Sequence, residues 1–217
     1  MKRILLAVIL VFVALAQTGC GGDGSSAPPT FVTSILSDSA IDGDIAQNSP
    51  GVFTVTQGMS PTVQSVFAGI DPVTLVESRA FLDFPLTTVP VNAVILSAVL
   101  DIFINSALLQ TPTGTIPIRI DLVSFPSPLI GTDFDRTILL PLASIAVASP
   151  ISQVDVNHHV FIDVTTLMTE AQRRGLANFQ IRILEDLGVV TPGLIEINDT
   201  TGADRGVLAP FLQVTYF

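Results

Sequence analysis

Residues 93–105 read AVILSAVLDIFIN, and the spacing of their apolar side chains decides the fold class. Successive side chains of an extended chain point to opposite faces. Val94, Leu96, Ala98, Leu100, Ile102 and Ile104 therefore fall on one side and Asp101 on the other. A buried helix is the competing reading of such a run. Its β-branched residues, the unbroken row at period two and Pro90 just ahead of it favour a central strand.

The same period recurs outward from this run. Ala80, Leu82 and Phe84 alternate with Arg79, Phe81 and Asp83, and Ile116, Ile118, Ile120 and Leu122 alternate with Pro117, Arg119 and Asp121. Val160, Ile162 and Val164 alternate with Phe161 and Asp163. Each pattern predicts a strand with one buried and one wet face. Further strands are expected at 52–56, 63–69, 137–140, 179–184 and 210–217. One short helix is predicted over 166–174, opened by a threonine cap and stopped at Gly175, with Arg173 and Arg174 complementing the dipole at its end. Many strands between Pro and Gly turns predict an all-β fold: two packed antiparallel sheets forming a β-sandwich of jelly-roll type, with one short helix.

Apolar residues make up 48% of the 217 and charged residues 13%, enough to bury one sizeable core. The net charge is −10, and the only lysine, Lys2, stands beside Arg3 at the N-terminus. Without those two the nine cations fall to seven against nineteen acids, a charge of −12. Phosphate backbones need clustered Lys and Arg, so nucleic acid is excluded as an expected partner, and anionic polysaccharides and lipid headgroups are disfavoured.

Lys2 and Arg3 precede an unbroken apolar run over 4–16, the layout of a secretory signal. The run is shorter than the roughly 18 residues a membrane helix needs. Cys20 is the only cysteine and so has no intramolecular disulfide partner. The segment Ala16-Gln17-Thr18-Gly19-Cys20 resembles a bacterial lipobox, with Gln17 where that motif usually carries an aliphatic residue. The resemblance implies a signal peptide over 1–19, cleavage before Cys20 and diacylglyceryl lipidation of Cys20. Several acyl chains give durable anchoring at about 0.8 kcal/mol per buried methylene. Gly21 and Gly22 follow, with no Asp to act as an inner-membrane retention signal, so the expected location is the cell envelope, lipid-anchored at the outer membrane. Residues 20–30 then read as lipidated cysteine plus flexible linker, and 31–217 as the domain.

Three segments in order carry a family resemblance. The first comprises SRAFLDFPL at 78–86, Val89-Pro90 and ILSAVL at 95–100, and resembles the R-x-x-L-x-F-(D)-L … P … I-x-S-A-x-L core of DNRLRE-type domains. IDVTTL at 162–167 resembles that family's strand-to-helix junction, and PFLQVTY at 210–216 its closing strand, so the match spans about 52–217. It implies a jelly-roll sandwich of extracellular carbohydrate-binding-module type. Some members bind acidic polysaccharides through basic and aromatic surface residues. This chain has no Trp, one Tyr and no Lys after Lys2, so the resemblance carries the fold and leaves the ligand open.

Ser152, Asp155, His158 and His159 contain the residue types of a catalytic triad, but there is no G-x-S-x-G elbow, and adjacent histidines on a strand face opposite ways. They are expected to be polar residues at a strand entrance. Glu196, Asn198, Asp199 and Asp204 gather on an expected loop whose oxygens suit Ca²⁺, in a structural role only. The D-x-[DN]-x-[DN]-G series is missing, which favours solvated turn residues. Phe81, Phe103 and Phe161 take the outward register of their strands, and Tyr216 is the remaining aromatic offered for stacking. Either this outer face is covered, or it forms an apolar patch for glycan stacking or protein contact. The expected function is a non-enzymatic binding module, carbohydrate-binding or adhesive, with no cofactor. A structural or assembly component making protein contacts is the alternative, and a hydrolase comes third.

Overall fold

The run quoted above becomes the longest strand among the described residues, Ile95–Leu109. The computed structural model describes residues 28–186 and 192–217; the expected signal peptide, Cys20 and most of the linker lie outside them. In chain order the strands are β1 (Phe31–Leu36), β2 (Gly43–Ser49), β3 (Val52–Gln57), β4 (Ser65–Ile70), β5 (Glu77–Pro85), β6 (Ile95–Leu109) and β7 (Thr115–Ile116). There follow β8 (Ile118–Val123), β9 (Ala143–Ala146), β10 (Ile151–Ser152), β11 (His159–Asp163) and the helix α1 (Thr165–Arg173). The chain closes with β12 (Asn178–Glu185), β13 (Gly193–Asn198), a single-turn helix α2 (Arg205–Leu208) and β14 (Phe211–Tyr216).

The protein is an all-β antiparallel sandwich, but its layers are not two separate sheets. Among the described residues twelve strands form one hydrogen-bonded network, and β7 and β10 pair apart from it. β6 supplies the continuity. As far as Phe103 it carries β14 and β11, and from Ile104 onward it carries β13. The first layer is thus β1, β14, β6 and β11, and the second runs from β13 through β4, β5, β12 and β8 to β9, with β2 and β3 beside β5. The inner faces of both layers meet in one core containing Leu82, Leu100, Ile102, Ile120, Ile181 and Val214.

The alternation in β6 holds only over its centre. Ala98, Leu100, Ile102 and Ile104 are at most 1% exposed, whereas Val94 and Leu96, expected in the same row, are 50% and 48% exposed. The register shifts where Thr215 and Tyr216 face Ser97 and Ile95. One extra residue turns every side chain beyond it to the other face, so Ile95 packs on the core and Leu96 turns out. A second shift between Glu196 and Ile197 does the same at the far end, where Ala107 and Leu109 pack on the core and Leu108 turns out.

Four further expectations need correction. Pro117 divides the predicted strand at 116–122: Ile116 pairs with Ile151, and β8 starts at Ile118. Residues 137–140 form no strand, because Asp135 closes a turn there, its carboxylate accepting the Thr137 N–H at 2.7 Å and its carbonyl the N–H groups of Ile138 and Leu139. The helix begins at Thr165 with no side-chain bond from its cap residue, Val164. Asp163 Oδ1 instead accepts the Thr165 N–H at 2.9 Å. The helix stops at Gly175 as expected, in the left-handed region at φ 64°. Finally, Glu196 and Asn198 stand on β13, not on a loop.

Candidate functional site

The outer faces of the two layers differ. On the second layer the positions expected to be wet are covered: Arg79, Phe81, Asp83 and Asp121 are 6%, 0%, 1% and 0% exposed. Over Arg79, Phe81 and Asp121 the cover is the segment 124–142, whose Phe125, Leu129 and Phe134 form a small second core with Ile45, Phe81 and Val123, while Asn178 donates to the Asp83 carboxylate. The segment has almost no regular structure of its own, so arginines bind its carbonyl groups. Arg182, fully buried, donates to Asp133 O at 3.0 Å, to Leu139 O at 3.2 Å and to Asp121 Oδ2 at 2.8 Å. Arg79 donates to Phe134 O and lies 3.9 Å over the Phe134 ring. Arg136 and the Ser144 hydroxyl complete the hydrogen bonds to Asp121. Its carboxylate is held below the ordinary range by these donors, which outweigh a burial effect acting in the opposite direction. A groove of about 460 Å³ opens beside the cover, but the guanidinium groups lining it, Arg79 and Arg136, are engaged by Glu77 and Asp121.

Among the described residues the first layer keeps its outer face open. Strand register places Phe161 and Phe211 on either side of Asp101, with Leu36 beyond Phe211. The next row along holds Asp163, Val99, Gln213 and Ser34. On the other side Phe103 stands opposite His159. The His159 ring lies edge-on to Phe103 at 5.2 Å and nearly parallel to Phe161, with centroids 6.2 Å apart. Its Nδ1 is 2.8 Å from Asp101 Oδ1, which fixes the ring in that position. Phe161 is 67% exposed. Burial raises the Asp101 pKa, partly offset by the bond and charge of His159. An aromatic surface fringed by Asp163, Gln213 and Ser34 can stack on the apolar face of a sugar ring while its rim exchanges hydrogen bonds with hydroxyl groups.

Of the three outward phenylalanines, then, Phe81 is covered while Phe103 and Phe161 share one open face. Tyr216 is not part of it: the residue is 8% exposed, and its hydroxyl reaches Thr33 Oγ1 and Thr88 O. The pairing of Asp101 with His159 is invisible in the sequence. Its one hint was a carboxylate on the outward side of a central strand. Beside Phe161 a cleft of about 380 Å³ separates β11 from residues 145–149, lined by Ile145, Val147, Ser149, Val160 and Thr166. Among the described residues β9 is the last strand of its path and β11 pairs with β6 alone, so a strand edge is unpaired on each side.

Ser152, Asp155, His158 and His159 do not form a relay. Asp155 Oδ2 accepts the N–H and hydroxyl of Ser152 at 2.8 and 3.0 Å, His158 Nδ1 lies 2.9 Å from Val156 O, and His159 is held by Asp101. The four residues read as calcium ligands are also engaged within the protein. Glu196 accepts from Ser65, Asn105 and Ser106, and Asn198 donates to Asn105 Oδ1. Asp199, fully buried, accepts from Arg205 at 3.0 Å, and Asp204 caps α2 through its backbone carbonyl. Among the described residues no three His, Cys, Asp or Glu side chains gather as a metal site.

No protein-family model matches the chain, and no curated protein matches it. Among the described residues no helix is long and apolar enough to cross a membrane.

Proposed function

We propose that this chain is a lipid-anchored protein of the cell envelope whose β-sandwich serves as a non-catalytic, carbohydrate-binding module. The observation that carries the reading is Phe161, 67% exposed beside Phe103 and His159, with Asp163, Gln213 and Ser34 in the neighbouring row. A large aromatic side chain held open to water by its neighbours costs solvation that a stacking ligand recovers. A net charge of −10 and the carboxylates of Asp101 and Asp163 on this face favour a neutral glycan over an acidic one. The charged N-terminus, the apolar run and Cys20 support the anchor and an outer-membrane location.

The second reading, an assembly component of the envelope, is favoured by the open edges of β9 and β11 across the cleft beside Phe161. One experiment separates the two. The purified protein and its Phe161→Ala variant are screened against neutral and acidic glycans, with size-exclusion chromatography in parallel. Saturable binding by a monomer, lost in the variant, is expected; stable self-association without sugar binding would favour assembly. For the anchor, Cys20→Ser should abolish acyl labelling and release the protein from membranes, and unchanged labelling would refute lipidation.

A further inference from the structure

Behind the end of β1, three buried oxygens have no hydrogen-bond partner: Ser37 Oγ, Asp42 Oδ2 and Asp199 Oδ2. Ser37 is 3% exposed and both aspartates 0%. The three belong to different parts of the chain, since Ser37 follows β1, Asp42 precedes β2 and Asp199 follows β13. They nonetheless converge: Arg205 donates both to Asp199 and to the Ser37 carbonyl, and the Asp199 carboxylate lies close enough to Asp42 to act on it.

The other oxygen of each carboxylate is already engaged. Asp42 Oδ1 accepts the Asp83 N–H at 2.7 Å, and Asp199 Oδ1 accepts from Arg205 at 3.0 Å. Arg205 also donates to Thr200 O and Ser37 O. Two carboxylates thus face one guanidinium, and with both ionised the group would hold an uncompensated buried negative charge, which is severely unfavourable. One further positive charge is needed. Arg205 already engages Asp199 Oδ1, Thr200 O and Ser37 O, oxygens that a metal ion would otherwise take as ligands. A proton needs only the two free carboxylate oxygens.

We infer that Asp42 and Asp199 share one proton, forming a buried acid clasp that ties the β1–β2 turn to the segment leading from β13 to α2. The proton sits on Asp42 Oδ2 and is donated to Asp199 Oδ2, leaving the Ser37 hydroxyl free to donate to either carboxylate. Burial foremost, and then the neighbouring Asp199 charge, push the Asp42 pKa well up, in agreement with the geometry. The groups facing the pair are Ser37 at the end of β1, Arg205 of α2 and the Asp83 N–H of β5. Losing the proton restores the uncompensated charge, so raised pH loosens the clasp.

The test compares the full chain with its Asp42→Asn and Ser37→Ala variants. An asparagine amide supplies an N–H where the shared proton lies and cannot titrate. The melting temperature of the wild type should fall as pH rises above the ordinary carboxylate range, while that of Asp42→Asn falls less steeply over the same range. Infrared spectra of the wild type near neutral pH should show a protonated-carboxyl stretch that is diminished in Asp42→Asn. Ser37→Ala should retain the stretch, so the spectrum remains informative if Asp42→Asn fails to fold. Identical spectra and identical pH profiles for wild type and Asp42→Asn would overturn the inference. So would a calcium-dependent rise in melting temperature that Asp42→Asn abolishes, because the added charge would then be a metal ion.

Discussion

The two outer faces of this sandwich begin from the same alternation and end with opposite fates. Phe81 on β5 and Phe161 on β11 both point away from the main core, yet one is 0% exposed and the other 67%. The difference is made by the segment 124–142, which lies over the β5, β8 and β12 face and has no counterpart over β11 and β6 among the described residues. Because that cover lacks a strand ladder, its carbonyl groups are satisfied by Arg79 and Arg182 instead. Period two identifies which side chains leave the core. Whether they then reach water depends on loops elsewhere in the chain.

Breaking the covered face should have the largest effect. Arg182→Ala leaves Asp121 without one of its buried donors and two cover carbonyls unpaired, a change costing about 3–5 kcal/mol, readable by chemical denaturation. Replacing Arg182 by Met together with Asp121 by Leu should cost less, because no buried charge is left behind. Phe81→Ala, in the second core, is expected to lose about 3–5 kcal/mol, toward the lower figure if the cover relaxes inward.

Acids sharpen the same contrast through pH. Asp44, 5% exposed on β2, is raised to about 7, chiefly by burial and in spite of a bond from the Phe67 N–H. Its protonated form is favoured by folding, so the stability it contributes is complete below the ordinary carboxylate range. That contribution falls as pH rises and is gone once pH passes about 7, a slope that Asp44→Asn should remove from a denaturation series. Asp163 on the open face behaves oppositely: the Thr165 hydroxyl and N–H lower its pKa, so it produces no loss over that range. The smallest change in stability should come from Phe161→Ala, within about 0.5 kcal/mol because little burial is lost. Glycan binding should nevertheless disappear. A Phe161→Ala variant as unstable as Phe81→Ala would mean that the two faces do not differ as described.

Much of this architecture was readable from the residues, for reasons local to each strand. The centres of β5, β6, β8 and β11 announce themselves because their apolar side chains alternate within one segment, and Gly175 marks the end of α1 by its own backbone need. β2, with the sequence GDIAQNS, offers no such row and forms a strand because β3 and β5 pair with it on either side. The cover was equally hidden. Arg182 meets Asp133 and Leu139 across sequence separations of 49 and 43, and no short pattern encodes such a meeting. Within the candidate site the two phenylalanines were legible from register. The bond from His159 to Asp101, 58 residues away, was not. The four residues read as calcium ligands are close in sequence but engage different parts of the fold: Glu196 and Asn198 meet Asn105, Asp199 meets Arg205, and Asp204 caps α2.

The passage of β6 through both halves of the sandwich has a mechanical meaning. A barrel stave nailed to two hoops cannot come away from one without loading the other. Amide protons of β14 in the one wall and of β4 in the other should therefore become exchangeable together, in a single opening of the whole domain.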